Sequence, residues 1–325
     1  MTRTAVILND TSHRYHHGCA RVMTNLVAGL TAQGFDLYRI PARTDWSANA
    51  AHRHAIAGAA LVVINGEGTL HDGAPAGARL LAATEATAAP VALVNALWQD
   101  NPPEWSPLLA RCALIAARDS ASAAAMASAT GRAVRWLPDL SLATPATITD
   151  LPRNGLVLGD SVRAAPRKAL ARAAQRLGAE YLPTKTLQAP IWRSQTARAL
   201  LWRAYTGVWS GPVPRFEMAR DTAAYLARLS AAAGHVTGRY HGVCLSLLSG
   251  TPVLAVASVT SKVQGLLADA GLGDARLLTP QALDALTPAT ALRPYDSAER
   301  AAIQDFLTRA QDGAARLFAD LGALA

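Results

Sequence analysis

Cysteine is scarce. Cys19, Cys112 and Cys244 are three in 325 residues, widely spaced and without a CxxC pair. That excludes a disulfide framework and the common zinc clusters. Long apolar runs are missing too. No stretch approaches the ~18 residues of a membrane span. The first apolar run, Ala5–Leu8, is shorter than the core of a signal peptide. The expectation is a reduced, soluble, cytoplasmic protein. There is no GxGxxG fingerprint, Walker loop or DxD pair, and no helix-turn-helix, RNP or zinc-finger signature, so neither a metal nor a nucleic-acid partner is expected. Charged residues are only 17% of the chain against 51% hydrophobic. Such a chain has the apolar material to bury real cores and is not globally disordered.

Acidic residues are the minority charge, 23 against 31 Lys and Arg, for a net charge of +8. The imbalance is local. Between Leu151 and Tyr240 there are 14 Lys and Arg against 4 Asp and Glu. A basic second half suits an anionic ligand, an anionic membrane surface or nucleic acid, and a solvated arginine-rich surface explains it as readily. Residues 189–214 carry Trp192, Trp202, Tyr205 and Trp209 among Arg193, Arg198 and Arg203. That mixture leaves open a peripheral membrane contact. However, the arginines step around a helix without making one polar face, which favours core or lid packing.

Short apolar runs alternate with longer amphipathic stretches. The pattern predicts strands at Ala5–Leu8, Phe35–Ile40, Ala60–Ile64, Pro90–Asn95, Leu114–Ala117 and Val134–Leu137, with a helix over Arg21–Gln33 stopped by Gly34. A Pro/Thr-rich linker follows at Ala143–Arg153. The alternation then restarts with strands at Leu156–Leu158, Glu180–Leu182, His235–Thr237 and Pro252–Val256. Helices are predicted at Arg167–Leu177, Tyr240–Leu248, Lys262–Ala270 and Ser297–Leu321. This predicts an α/β chain of two Rossmann-like doubly wound domains, GT-B-like, with a ligand cleft between them. The domains are expected at 1–145 and 151–295, with 296–325 a closing helix.

The densest motif is His235–Leu272. A short strand delivers Gly238, Arg239, Tyr240 and His241 to a sheet edge where a helix begins. Unpaired N–H groups and the helix dipole favour an anion there. Arg239 adds a planar cationic fork, and His241 can exchange a proton near neutral pH. The pattern repeats after Gly250 and Pro252: a strand, then Ser258, Thr260, Ser261 and Lys262 at the next helix start, with Thr260 or Ser261 as its cap. Read blandly, Arg239 and Lys262 are surface ion-pair partners and His241 is a satisfied core imidazole.

The runs GRYHG, SGTP and TSKVQGLLADAGL together resemble the C-terminal signature of the polysaccharide pyruvyl transferase family. The resemblance is strong over about 40 residues and looser over most of the chain. It implies a transferase that moves a pyruvyl group from phosphoenolpyruvate to a sugar of a cell-surface polysaccharide or its precursor. The product is a ketal, phosphate is released, and no cofactor is needed. The donor is a small anion; the acceptor is a saccharide, free or lipid-linked. Arg239 matches the family's donor-binding arginine and His241 its functional histidine. Tyr240 stands where the family usually has Leu or Phe, and Lys262, Ser261 and Thr260 join the donor side by their position.

Two further segments follow predicted strands. Asn9 and Asp10 precede the pair His16-His17, and Gly66-Glu67 precede His71. The family has a Gly-Asp pair near the first and a richer glycine run at the second, so both match in position and depart in wording. Asn9, Asp10, His17, Gly66 and His71 are candidate acceptor contacts, and Glu67 is a candidate base. Alternatively Asp10 orders its loop and Glu67 satisfies a helix start. A metal site from His13, His16 and His17 lacks a completing ligand. Asp119 reads best as a helix cap, and Asp139 as a turn residue. The competing function is a GT-B glycosyltransferase using a nucleotide-activated sugar.

Overall fold

The computed structural model describes residues 3–146, 152–187, 189–257 and 261–325. Thr260, Ser258 and the middle of the 143–153 linker lie outside them. Among the described residues no helix is long and apolar enough to cross a membrane. The chain forms two compact units. One comprises the residues up to Arg14, Val22–Thr144 and Leu307–Ala325; the other comprises Tyr15–Arg21 and Pro145–Phe306.

The first unit is built on six parallel strands: β1 (Arg3–Asp10), β2 (Phe35–Pro41), β3 (Leu61–Glu67), β4 (Val91–Ala96), β5 (Leu114–Ala117) and β6 (Arg135–Trp136), in the order β2-β1-β3-β4-β5-β6. Its helices are α1 (His17–Ala32), α2 (Ala50–Ala57), α3 (Pro75–Leu81), α4 (Ser106–Ala110) and α5 (Ser120–Thr130). Side chains alternate across a strand, and here both faces are covered. Val6, Leu8, Val62 and Ile64 enter one core, while Ala5, Ile7, Leu61 and Val63 enter the other with Val22, Leu26, Leu317 and Phe318. Each fully buried Leu or Ile contributes about 1.5–3 kcal/mol relative to exposure.

The second unit has five parallel strands: β7 (Leu156–Ser161), β8 (Glu180–Tyr181), β9 (Gly234–Gly238), β10 (Val253–Val256) and β11 (Leu277–Leu278), in the order β11-β10-β9-β7-β8. Its helices are α6 (Ala164–Leu177), α7 (Gln195–Thr206), α8 (Thr222–Ala231), α9 (Tyr240–Leu248), α10 (Lys262–Asp269) and α11 (Pro288–Ala291). The long α12 (Ser297–Ala323) begins in this unit and ends in the first. Read from their first strands, the two sheets share one winding, second-first-third-fourth-fifth. Connections leave in opposite directions at β1/β3 and again at β7/β9, the switch points where open parallel sheets bind ligands.

Several boundaries differ from the sequence expectation. Helix α1 starts at His17 rather than Arg21, because His16 and Tyr15 are held by Lys185 and Thr186 and launch the helix early. Strand β7 continues past Leu158 through Gly159, Asp160 and Ser161, polar residues that a hydrophobic run cannot reveal. The aromatic segment folds into α7. Trp202 is 1% exposed in the second core beside Tyr181 and Phe216, whereas Trp209 is exposed.

Candidate functional site

In the second unit the switch point is built around Asp160, the next-to-last residue of β7. Its Oδ2 accepts Arg239 Nε at 2.8 Å, Arg239 Nη2 at 2.5 Å and the Tyr205 hydroxyl at 2.5 Å, while Oδ1 accepts Thr184 N at 2.9 Å. Burial alone would raise the Asp160 carboxyl, but the Arg239 guanidinium and these hydrogen bonds hold it below its usual range. For Arg239, burial pushes the guanidinium down and the adjacent carboxylate more than reverses it. Both side chains are almost wholly buried. Asp160 and Tyr205 are not among the site residues expected from the sequence. Their signal was a lone acid after a strand in a basic stretch, and a tyrosine in the segment of unexplained aromatics.

Arg239 occupies the N-cap position of α9, and Tyr240 and His241 are its first two helical residues. All three are buried. The ring of His241 lies edge-on to His16 with centroids 5.2 Å apart, and edge-on to Tyr240 at 5.5 Å. Gly18 permits this. A Cβ there would lie 2.1 Å from His241 Cγ, closer than any real contact. The segment carrying Gly18 is held by Thr186 N donating to Tyr15 O at 2.9 Å and His17 N donating to Thr184 O at 3.1 Å.

His17, expected among the acceptor contacts, therefore belongs to the second unit. It stacks on Tyr225 with centroids 4.8 Å apart. Burial lowers its pKa to about 4, against the pull of Asp221 and Asp160. His16 is lowered well below its ordinary value, first by burial and then by the charges of His241 and Arg239. His16, Cys19 and His241 bring ligand atoms within 4.8 Å of one another, a set that could hold a soft divalent metal. No metal was expected along the chain, where His16 and Cys19 lie far from His241.

The other donor-side candidates stand one strand away. Lys262 begins α10 and is half-buried. Ser261, in the N-cap position, is exposed and makes no side-chain cap bond, because its backbone is already helical. The expected capping is thus absent at Ser261, and Thr260 lies outside the described residues.

In the first unit, Asn9 is the next-to-last residue of β1 and Glu67 ends β3. Both backbones are left-handed, with φ of 66° at Asn9 and 38° at Glu67, as is Asn95 at the end of β4 with φ of 55°. Asn tolerates this region; for Glu it costs about 1–2 kcal/mol. Glu67 is nevertheless retained where glycine would be unstrained. Its buried carboxylate accepts Thr11 Oγ1 at 2.6 Å and Asn65 Nδ2 at 3.2 Å, with Arg14 Nη1 at 4.0 Å. Asn9 Nδ2 donates to Asn65 O at 2.7 Å and to Thr69 Oγ1 at 3.2 Å.

The remaining acceptor candidates have structural work. Asp10 pairs with Arg39 at 2.8 Å and accepts Ser12 N at 2.9 Å, so it orders its loop. Gly66 lets β3 approach β4, since a Cβ there would be 2.6 Å from Ala96 Cβ. His71 is paired to Asp72 at 2.8 Å. Asp119 caps α5 through Ser122 N at 2.7 Å, as the sequence predicts.

Two parallel, helix-covered sheets with one winding, each gathering polar groups at its switch point, define a Rossmann-like α/β fold of the GT-B type. Solved structures share it. A Listeria monocytogenes protein described as a UDP-N-acetylglucosamine 2-epimerase matches with a TM-score of 0.55 and 13% identity, over 97% of this chain and 94% of its own. The protein KP1_0663 of Klebsiella pneumoniae subsp. pneumoniae NTUH-K2044 matches at 0.51 and 10%, over 82% and 88%. An O-GlcNAc transferase mutant of Thermobaculum terrenum matches at 0.50 and 14%, over 99% of this chain and 65% of its own length. At these identities the likeness is one of fold. No curated protein matches the chain at a significant level. The family model described as polysaccharide pyruvyl transferase matches residues 10–258, and the chain belongs to that family. It is accordingly a transferase.

Proposed function

We propose that this chain transfers the pyruvyl group of phosphoenolpyruvate to two hydroxyls of a saccharide, leaving a ketal. In the balanced reaction, C3 of the donor gains a proton and the first acceptor oxygen bonds to C2 as its hydroxyl proton leaves. The C2–O bond to phosphate then breaks, and the second hydroxyl closes the ketal, its proton leaving with the phosphate. One proton is delivered to carbon and a highly anionic leaving group must be held.

The observation that carries this reading is His241 in the first turn of α9, its ring packed against His16 directly after Arg239. His241 is the group proposed to protonate C3. Arg239 already spends Nε and Nη2 on Asp160 and Tyr205. Its role is therefore to fix the start of α9 and to offer Nη1 to the donor carboxylate or phosphate. The α9 N-terminus, Tyr240, His17 and Lys262 complete the donor side, with Ser261 and Thr260 beside Lys262. On the acceptor side, Glu67 takes a hydroxyl proton and Asn9 orients the sugar, with Asp10, Gly66 and His71 shaping the surrounding loops. Three buried free cysteines suit a reducing, cytoplasmic setting for this chemistry.

The test is a ligand comparison by thermal shift, followed by phosphate release. Phosphoenolpyruvate is expected to raise Tm, as any ligand of the folded state does, and to release phosphate in the presence of a saccharide acceptor. A rise with nucleotide sugars and none with phosphoenolpyruvate would replace this reading with the glycosyltransferase one.

A further inference from the structure

The first unit contains an open pocket at the carboxyl ends of β1 and β2, beside the β1/β3 switch point. Asn9, Arg14, Arg43, Thr44, Thr69 and Arg79 line it together with Trp46, and its unfilled space is about 390 Å³, part of it open to solvent. Three arginines line this space, and no acid is among its lining residues.

The arginines are poised differently from their neighbours in the unit. Arg39 is paired with Asp10, Arg118 with Asp139 and Arg135 with Asp320. The side chains of Arg43 and Arg79, by contrast, make no hydrogen bond or ion pair among the described residues, although the Arg79 carbonyl accepts Trp46 Nε1 at 2.8 Å. The charge of Arg79 reaches Asp45 only through space. Arg14 approaches Glu67 at 4.0 Å with Nη1, while its Nε is buried without a partner. Asn9 and Thr69, hydrogen-bonded to each other, join the pocket to the strand ends that carry Glu67.

We propose that the acceptor is a phosphorylated saccharide, a sugar phosphate or sugar diphosphate, whose phosphate is held in this pocket by Arg14, Arg43 and Arg79. The proposal rests on the pyruvyl-transfer reading and names the substrate class of its acceptor side. Three guanidinium forks exceed what one carboxylate can neutralise, and they match the charge and bidentate geometry of a phosphate ester or diphosphate. The phosphate would anchor the sugar while its hydroxyls reach towards Asn9 and Glu67. Such an acceptor is a soluble activated sugar or one carried on a prenyl diphosphate; both present the same group.

The test is calorimetric titration of the full chain with glucose, glucose 1-phosphate and pyrophosphate, alongside phosphoenolpyruvate as the donor. Glucose 1-phosphate is expected to bind at least about tenfold more tightly than glucose. The double variant Arg43→Gln/Arg79→Gln should weaken glucose 1-phosphate and pyrophosphate at least about tenfold, while the affinity for phosphoenolpyruvate changes less than about twofold, as for contacts confined to this pocket. Equal affinities for glucose and its phosphate, or wild-type affinity in the double variant, overturn the proposal. A prenyl-diphosphate sugar in detergent micelles, compared with a nucleotide diphosphate sugar, separates the two sources: whichever binds more tightly through Arg43 and Arg79 identifies the carrier. Phosphate binding that depends on these arginines, without phosphate release from phosphoenolpyruvate, would sink the pyruvyl reading and leave the pocket standing.

Discussion

Asp160 binds Arg239 through one oxygen, Oδ2, which Nε approaches at 2.8 Å and Nη2 at 2.5 Å, while its other oxygen holds the Thr184 amide at 2.9 Å. One carboxylate thus ties the end of β7 to the start of α9 and to the loop that carries the His17 backbone. Asp160→Ala should destabilise the protein by about 3–5 kcal/mol, because it strands a buried guanidinium. Replacing both Asp160 and Arg239 by apolar residues of similar size should cost less than the single change. Urea unfolding of Asp160→Ala, the corresponding single Arg239 variant and the double variant measures this, and additive losses would contradict the coupling.

His241 and Gly18 separate chemistry from packing. His241→Gln should lower turnover by about 10² or more with a small change in Tm. Gly18→Ala should lower both, since its methyl would occupy the place of the imidazole. Overpacking of this kind costs about 1–3 kcal/mol. Wild-type turnover in Gly18→Ala would mean that the ring position is immaterial.

Glu67→Gln tests the acceptor side. The amide oxygen of glutamine can still accept from Thr11 and Asn65, so stability should change by less than about 1 kcal/mol. Turnover should fall by about 10²–10⁴, as for a lost general base. Unfolding curves and kcat on the same preparations decide it, and unchanged kcat removes Glu67 from the chemistry.

Acid should weaken the second unit through His235. This imidazole is buried, with Nδ1 at 2.6 Å from Ser246 Oγ, and burial lowers its pKa to about 3. The unfolded chain takes up the proton near pH 6.5, so stability is full above that value and falls as pH drops towards the folded pKa. The loss from this residue should reach about 1 kcal/mol by pH 5.5. His235→Gln should flatten the slope of unfolding free energy against pH between 7 and 5; an unchanged slope would assign the acid sensitivity elsewhere.

Much was legible along the chain because it depends on local periodicity. Leu114–Ala117 and Tyr240–Leu248 have the same bounds in sequence and structure, and the Arg239-Tyr240-His241 run falls at a strand-to-helix junction in both. Polar strand ends were not legible. Gly159-Asp160-Ser161 continue β7 across a register shift to Ser161, which pairs with Gly238 of β9 and leaves no hydrophobic trace.

The sequence by itself determined two parallel α/β units, the basic second half and the family signature around His241, because periodicity, composition and short motifs are local properties. Only the tertiary structure decided that residues 15–21 join the second unit, that His16 and Cys19 stand against His241, and that Arg239 is already bound to Asp160. Those outcomes depend on parallel pairing and buried charge compensation between residues far apart in the chain, and no window of sequence contains both partners.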